Sequence, residues 1–135
     1  MNQLFEALQT KFDASALALQ VNGLWAYQAP QNCPLPLLTY TLVSDTPDYA
    51  WGSHPMEEAV LLINIWQADT IDDDTSGLER VSALYELLKT TFDDCVLTIA
   101  GYTHLRMARE TANLLKSVDG GWQYAVNYRI TLQET

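Results

Sequence analysis

The sequence predicts an α+β subunit: an antiparallel sheet with a long C-terminal hairpin and two main helices packed on one face. Three observations predict it. Ala59–Ala68 is short, rich in branched and aromatic residues, and bounded by Glu57 and Glu58 before it and a run of aspartates after it. That length is long for a strand but short for an independent helix, so the stretch reads as a strand. From Leu78 to Phe92 the apolar residues recur at helical spacing. The C-terminal part, Thr103–Val118 and Trp122–Leu132, reads as two long strands joined through Asp119-Gly120, a dipeptide suited to a tight hairpin turn.

The central strand carries the most information. Alternation places Leu61, Ile63 and Ile65 on one face and Val60, Leu62, Asn64 and Trp66 on the other. Both faces are largely apolar, unlike an ordinary antiparallel strand with one wet side. Asn64 separates them. An unpaired amide inside a monomer core costs roughly 1–3 kcal/mol, so the Leu61/Ile63/Ile65 face is expected to meet the chain's own helices. The Val60/Leu62/Asn64/Trp66 face then needs a second cover, and few elements remain to supply one. Another subunit is the expected cover.

The other elements follow in order. Residues 3–12 form an amphipathic helix with Leu4, Leu8 and Phe12 on one side and Asn2 as its N-cap. Ala16–Leu19 is a further helical turn closing near Asn22-Gly23. Trp25–Pro30 reads as an extended edge piece, because Pro30, Pro34 and Pro36 cannot donate to a central ladder. Leu37–Val43 alternates as a strand. Ser44–Glu58 is expected to be a long loop, and its Tyr49, Trp51 and His54 make it a candidate docking arm. In the second helix Leu78, Val81, Leu84, Tyr85, Leu88 and Phe92 form one stripe, with Ser76 and Glu79 as a capping box. Val96–Ile99 reads as a short strand. In the last strand Trp122, Tyr124, Val126, Tyr128, Ile130 and Leu132 face inward; a two-residue turn would set Glu110 opposite Arg129.

Composition narrows the function. A chain of 135 residues that is 48% apolar is one domain, residues 1–135, and not a disordered one. No apolar run reaches the roughly 18 residues of a membrane span, and the opening residues lack signal-peptide character, so cytosolic synthesis is expected. Seventeen acids against seven bases give a net charge of −10, which argues against clustered phosphate contacts. Cys33 and Cys95 lack a Cys-x-x-Cys spacing and are expected to be buried thiols. His54 and His104 have no ligand partners nearby in sequence, no glycine-rich phosphate loop or nucleophile elbow occurs, and Asp72-Asp73-Asp74 lacks the alternation of a cation loop. No catalytic residue, cofactor or metal is expected, and those aspartates read first as support for the following helix N-terminus.

The order of elements, with Ala29-Pro30-Gln31-Asn32-Cys33-Pro34-Leu35-Pro36 entering a strand that ends Leu42-Val43-Ser44, then Leu61-Leu62-Ile63-Asn64-Ile65-Trp66, a helix bearing Leu84-Tyr85-Glu86-Leu87-Leu88 and a long hairpin, resembles the tail completion or tail terminator proteins of long-tailed bacteriophages. The resemblance covers nearly the whole chain. It implies a structural protein of the virion tail or neck, assembled in the host cytoplasm. Such proteins form a ring, typically six-fold, on the finished tail tube, end its polymerisation and present the surface that joins the head. The implied partners are further copies of the chain, the tail tube protein and a head-completion or connector protein, with DNA passing through unbound. A ring places Asp72, Asp73 and Asp74 as candidates for an acidic bore, where only charges within about 8 Å would act on DNA. Two readings stand beside it: a head-completion or neck adaptor of the same connector, and a monomeric or dimeric acidic module that mimics DNA.

Overall fold

The computed structural model describes residues 2–48, 56–68, 77–116 and 121–134. The helix α1 (Asn2–Asp13) buries Leu4, Ala7, Leu8 and Phe12 on one side. Asn2 is its first helical residue rather than its cap. The Ser15 hydroxyl and amide both donate to the Phe12 carbonyl, which closes its C-terminal end. A 3-10 turn, Ala16–Leu19, then sends Leu17 into the core. Gly23 follows with φ of +112°, and an added Cβ there would sit 2.7 Å from the Trp25 indole nitrogen. Only glycine makes this turn without moving the indole.

Five strands form one sheet in the order β1-β2-β3-β5-β4. They are β1 (Leu24–Ala26), β2 (Leu37–Asp48), β3 (Met56–Gln67), β4 (Tyr102–Lys116) and β5 (Trp122–Glu134). Every pairing is antiparallel except that of β1 with β2. Of the expected Trp25–Pro30 edge piece, only Trp25 and Ala26 are in a strand, the short parallel β1; Tyr27–Pro30 leave the ladder. β3 is central, with Leu38, Tyr40 and Leu42 of β2 opposite Ile65, Ile63 and Leu61, and Tyr124, Val126 and Tyr128 of β5 on the other side of the same rows.

One face of the sheet carries the whole apolar core. Ala59, Leu61, Ile63 and Ile65 are buried there beside Val126, Tyr128, Ile130 and Leu132. The second helix, α2 (Gly77–Phe92), lies over them with Val81, Leu84, Leu88 and Phe92. Phe92 meets Tyr128 edge-on at 6.3 Å, and Phe5 of α1 meets Tyr40 at 5.3 Å. Burial of such large apolar surfaces is the main drive to fold. Both helices are on this face, as the alternation of β3 predicts.

The structure corrects several sequence expectations. β2 runs on to Asp48 and pairs with β3 down to Met56, so most of the expected Ser44–Glu58 loop is a hairpin arm. Cross-strand pairing to β3 carries Ser44–Asp48, which have no apolar alternation of their own. Tyr49, Trp51 and His54 lie outside the described residues, as do Ser76 and the Asp119-Gly120 turn. Residues 95–100 form no strand: Leu97 and Ile99 are buried while Val96 is exposed, so alternate residues pack inward without a ladder. Leu78, on the first turn of α2, is 41% exposed rather than part of the buried stripe. Cys33 and Cys95 are half-buried free thiols, not fully buried ones. Glu110 does reach Arg129, though not by direct opposition. Ala108 stands opposite Arg129, and a register shift between Arg109 and Thr111 leaves Glu110 as the extra residue of a bulge.

Candidate subunit interface

The opposite face of the sheet has no helix over it among the described residues. Val60, Leu62, Asn64 and Trp66 of β3 lie on it, and the register sets their neighbours. Trp66 stands between Leu37 and Gln123, Asn64 between Thr39 and Ala125, Leu62 between Thr41 and Asn127, and Val60 between Ser44 and Arg129. All four residues predicted from alternation are therefore brought together on one surface.

Polar groups on this surface satisfy one another sideways. The Trp66 indole N–H donates to the Thr39 hydroxyl at 2.9 Å. The Gln123 amide donates to Asn64 Oδ1 at 2.8 Å, and the Asn127 amide donates to the Thr111 hydroxyl at 2.9 Å. Thr39 and Asn64 are buried although no helix among the described residues covers them, and each is hydrogen-bonded to a longer side chain beside it, Trp66 and Gln123. Asn64 thus has its acceptor satisfied within the protomer. Towards the arm of the β2–β3 hairpin the face becomes charged: Arg129 donates to Glu58 at 2.7 Å and to Glu110. Those two carboxylates, Glu110 foremost, raise the Arg129 pKa and keep its charge in place.

Neutral amides and hydroxyls that saturate one another, set between the apolar surfaces of Val60, Leu62 and Trp66, suit contact rather than proton transfer. Most bases are engaged by the chain's own acids. Arg109 lies 3.4 Å from Asp93, Arg106 3.6 Å from Asp94 and Lys89 2.8 Å from Glu86. No group of three His, Cys, Asp or Glu residues placed to hold a metal occurs among the described residues. No helix among them is long and apolar enough to cross a membrane. Asp72, Asp73 and Asp74 lie outside the described residues.

At the Trp66 end the face runs into a cleft of about 440 Å³. Tyr27, Leu35, Leu37, Trp66 and Trp122 are its apolar and aromatic walls, and none of the described residues that line it is charged. Gln67 also borders it, only 3% exposed, and its Oε1 has no hydrogen-bond partner. Sequence reasoning missed this cleft. It joins residues up to about a hundred positions apart, and Tyr27 holds its place with φ of +63°, which no local pattern announces.

At the far end of the helix-covered face a second electrostatic feature appears. Burial raises the pKa of Glu57, and Asp45 and then Glu134 add to it. His104 accepts the Leu97 amide on Nδ1 at 3.3 Å; burial lowers its pKa, and a backbone hydrogen bond at Arg106 offsets part of that.

No family model matches the chain, and no curated protein matches its sequence. Its fold has a match among solved structures. A chain of the virion of a native gene transfer agent particle superposes with a TM-score of 0.70 at 13% identity, over 95% of this chain and 92% of the other. At that identity the likeness is one of fold, and it spans both chains almost completely.

Proposed function

We propose that this chain is a virion structural protein of the tail-terminator kind. Its copies form a ring, six-fold by the resemblance, that caps the finished tail tube, ends tube polymerisation and offers the surface to which the head connector joins. The observation that carries this reading is the near-complete sharing of its fold with a chain built into a gene transfer agent virion. The uncovered sheet face supports it. A head-to-tail contact that closes on itself covers such a face on every copy without requiring a self-complementary patch. Val60, Leu62, Asn64 and Trp66 belong to that contact. Tyr49, Trp51 and His54 serve as the docking arm, and Asp72, Asp73 and Asp74 line the bore and keep passing DNA unbound. The role is structural and needs no catalysis or cofactor.

A tube-assembly reaction tests the terminator role. Polymerising the tail tube protein with rising amounts of this chain is expected to give progressively shorter tubes with the chain at one end. Unchanged tube length, together with binding to the head-side connector, would assign the chain to the neck adaptor instead.

A further inference from the structure

We propose that two copies of this chain pair through the free edge of β4, with residues 111–115 of each lying antiparallel about a two-fold axis at Asn113. The pairing goes beyond the ring reading and does not rest on it. Its first support is the way the edge is guarded. β4 is the outermost strand of the sheet, and no strand lies beyond it among the described residues. Exposed edges are ordinarily blunted by bulges and charged side chains, which keep other strands off. Here those devices stop halfway. Register shifts between His104 and Arg106 and between Arg109 and Thr111, together with Arg106, Arg109 and Glu110, all fall before Thr111. From Thr111 to Leu115 the strand is regular and uncharged.

Exposure supplies the second support, and it defines the kind of neighbour the edge takes. Leu114 and Leu115 are 39% and 48% exposed. Leu114 stands opposite Tyr124, on the helix-covered face, and Leu115 opposite Gln123, on the open face. A group resting on one face of the sheet covers only one of them. A strand laid along the edge reaches both, because its own side chains alternate between the same two faces.

Register identifies that strand as the same segment of a second copy. About Asn113, antiparallel pairing sets Thr111 against the partner's Leu115 on the open face and Ala112 against the partner's Leu114 on the helix-covered face. Each large side chain meets a small one on both faces, which is the self-complementarity that a two-fold contact requires. Asn113, exposed on the open face, meets its own copy, and a primary amide both donates and accepts. Charge agrees with this register. It brings Lys116 of each copy level with Glu110 of the other, while Lys116 stays over Trp122 and Glu110 beside Arg129. Opposite charges therefore meet at both ends, in a chain whose net charge of −10 otherwise drives copies apart. The two five-stranded sheets become one, with both open faces on the same side. So short a contact makes a reversible pair.

Disulfide trapping in the full chain tests the pairing. Asn113→Cys places a thiol on the axis, where directly opposite residues lie about 4.5–5.5 Å apart at Cα, within the span of a disulfide. Thr103→Cys places one on the guarded half of the same strand and on the same face. Circular dichroism confirms that each variant is folded, both sites being at the surface. Under mild oxidation Asn113→Cys is expected to give covalent dimers on a non-reducing gel. Thr103→Cys and the unsubstituted chain, with Cys33 and Cys95 in place, are expected to stay unlinked. Adding Leu114→Lys and Leu115→Lys to Asn113→Cys is expected to abolish the cross-link. Equal linking of the two cysteine variants, or none from Asn113→Cys, would overturn the pairing, and so would linking that survives the two lysines. Amide protection of residues 111–115 that appears only when tail tube protein is added would give the edge to a strand of that protein and likewise overturn it. Rings built from chains that never cross-link at position 113 would leave the ring reading standing without this pairing. Cross-linked chains that build no ring with tail tube protein would leave this pairing standing without the ring.

Discussion

Asn64 and Tyr128 show how single polar groups are kept on or behind a sheet otherwise held by apolar packing. Asn64 is only 6% exposed, and its oxygen depends on Gln123. Gln123→Ala leaves that acceptor buried without a donor, so unfolding stability should fall by about 1–3 kcal/mol in a denaturant titration. Tyr128 donates to Asp93 at 2.6 Å from a buried position that raises its pKa, and Asp93 also holds Arg109. Glu57 carries a sign that can be tested against pH. Its carboxyl binds a proton more readily when folded than when unfolded, so its contribution weakens the fold as pH rises from near the ordinary value of 4.5 through the raised one. Glu57→Gln should raise the melting temperature at pH 7, and the gain should vanish as the solution approaches pH 4. His104 runs the other way. Its lowered pKa means that stability is lost as pH falls below the unfolded value of 6.5, because burial disfavours the charged ring.

At the scale of elements, β3 divides the two jobs of the sheet. Ile63 is 1% exposed against the helices, whereas Leu62 is only partly covered on the open face. Ile63→Asp should unfold the protomer, since an unpaired carboxylate in that core has no partner. Leu62→Asp should leave a folded chain by circular dichroism and abolish assembly by native mass. Equal loss of folding from both would mean that the open face is not an interface. This division was legible in the sequence because strict alternation through Leu61-Leu62-Ile63-Asn64-Ile65-Trp66 states which residues share a face. The extent of β2 was not. Ser44–Asp48 hold their place by pairing with β3 farther along the chain, and local composition does not encode a ladder whose partner is elsewhere. Val96–Ile99 misled in the opposite direction, because an extended loop that buries every second side chain has the period of a strand.

Across the whole molecule, the fold class and the covered and uncovered faces follow from the sequence, while the cleft does not. Tyr27, Leu35, Trp66 and Trp122 meet only once β1, β2, β3 and β5 are in order, so no spacing reveals them. Net charge acts at this scale too. Changing Asp72, Asp73 and Asp74 to Asn should leave assembly and packaging intact and slow DNA ejection, most visibly at low salt, where screening is weakest. A lowered melting temperature with normal ejection would return those aspartates to helix support alone. The central claim is that the uncovered sheet face is the surface on which copies of this chain join. A three-dimensional reconstruction of the wild-type assembly tests it most directly. The expected image is a closed ring in which Val60, Leu62 and Trp66 are buried between neighbours and the α1 and α2 side faces away from the joint. A monomer, or a ring joined through the helices with Val60, Leu62 and Trp66 open to solvent, would contradict it.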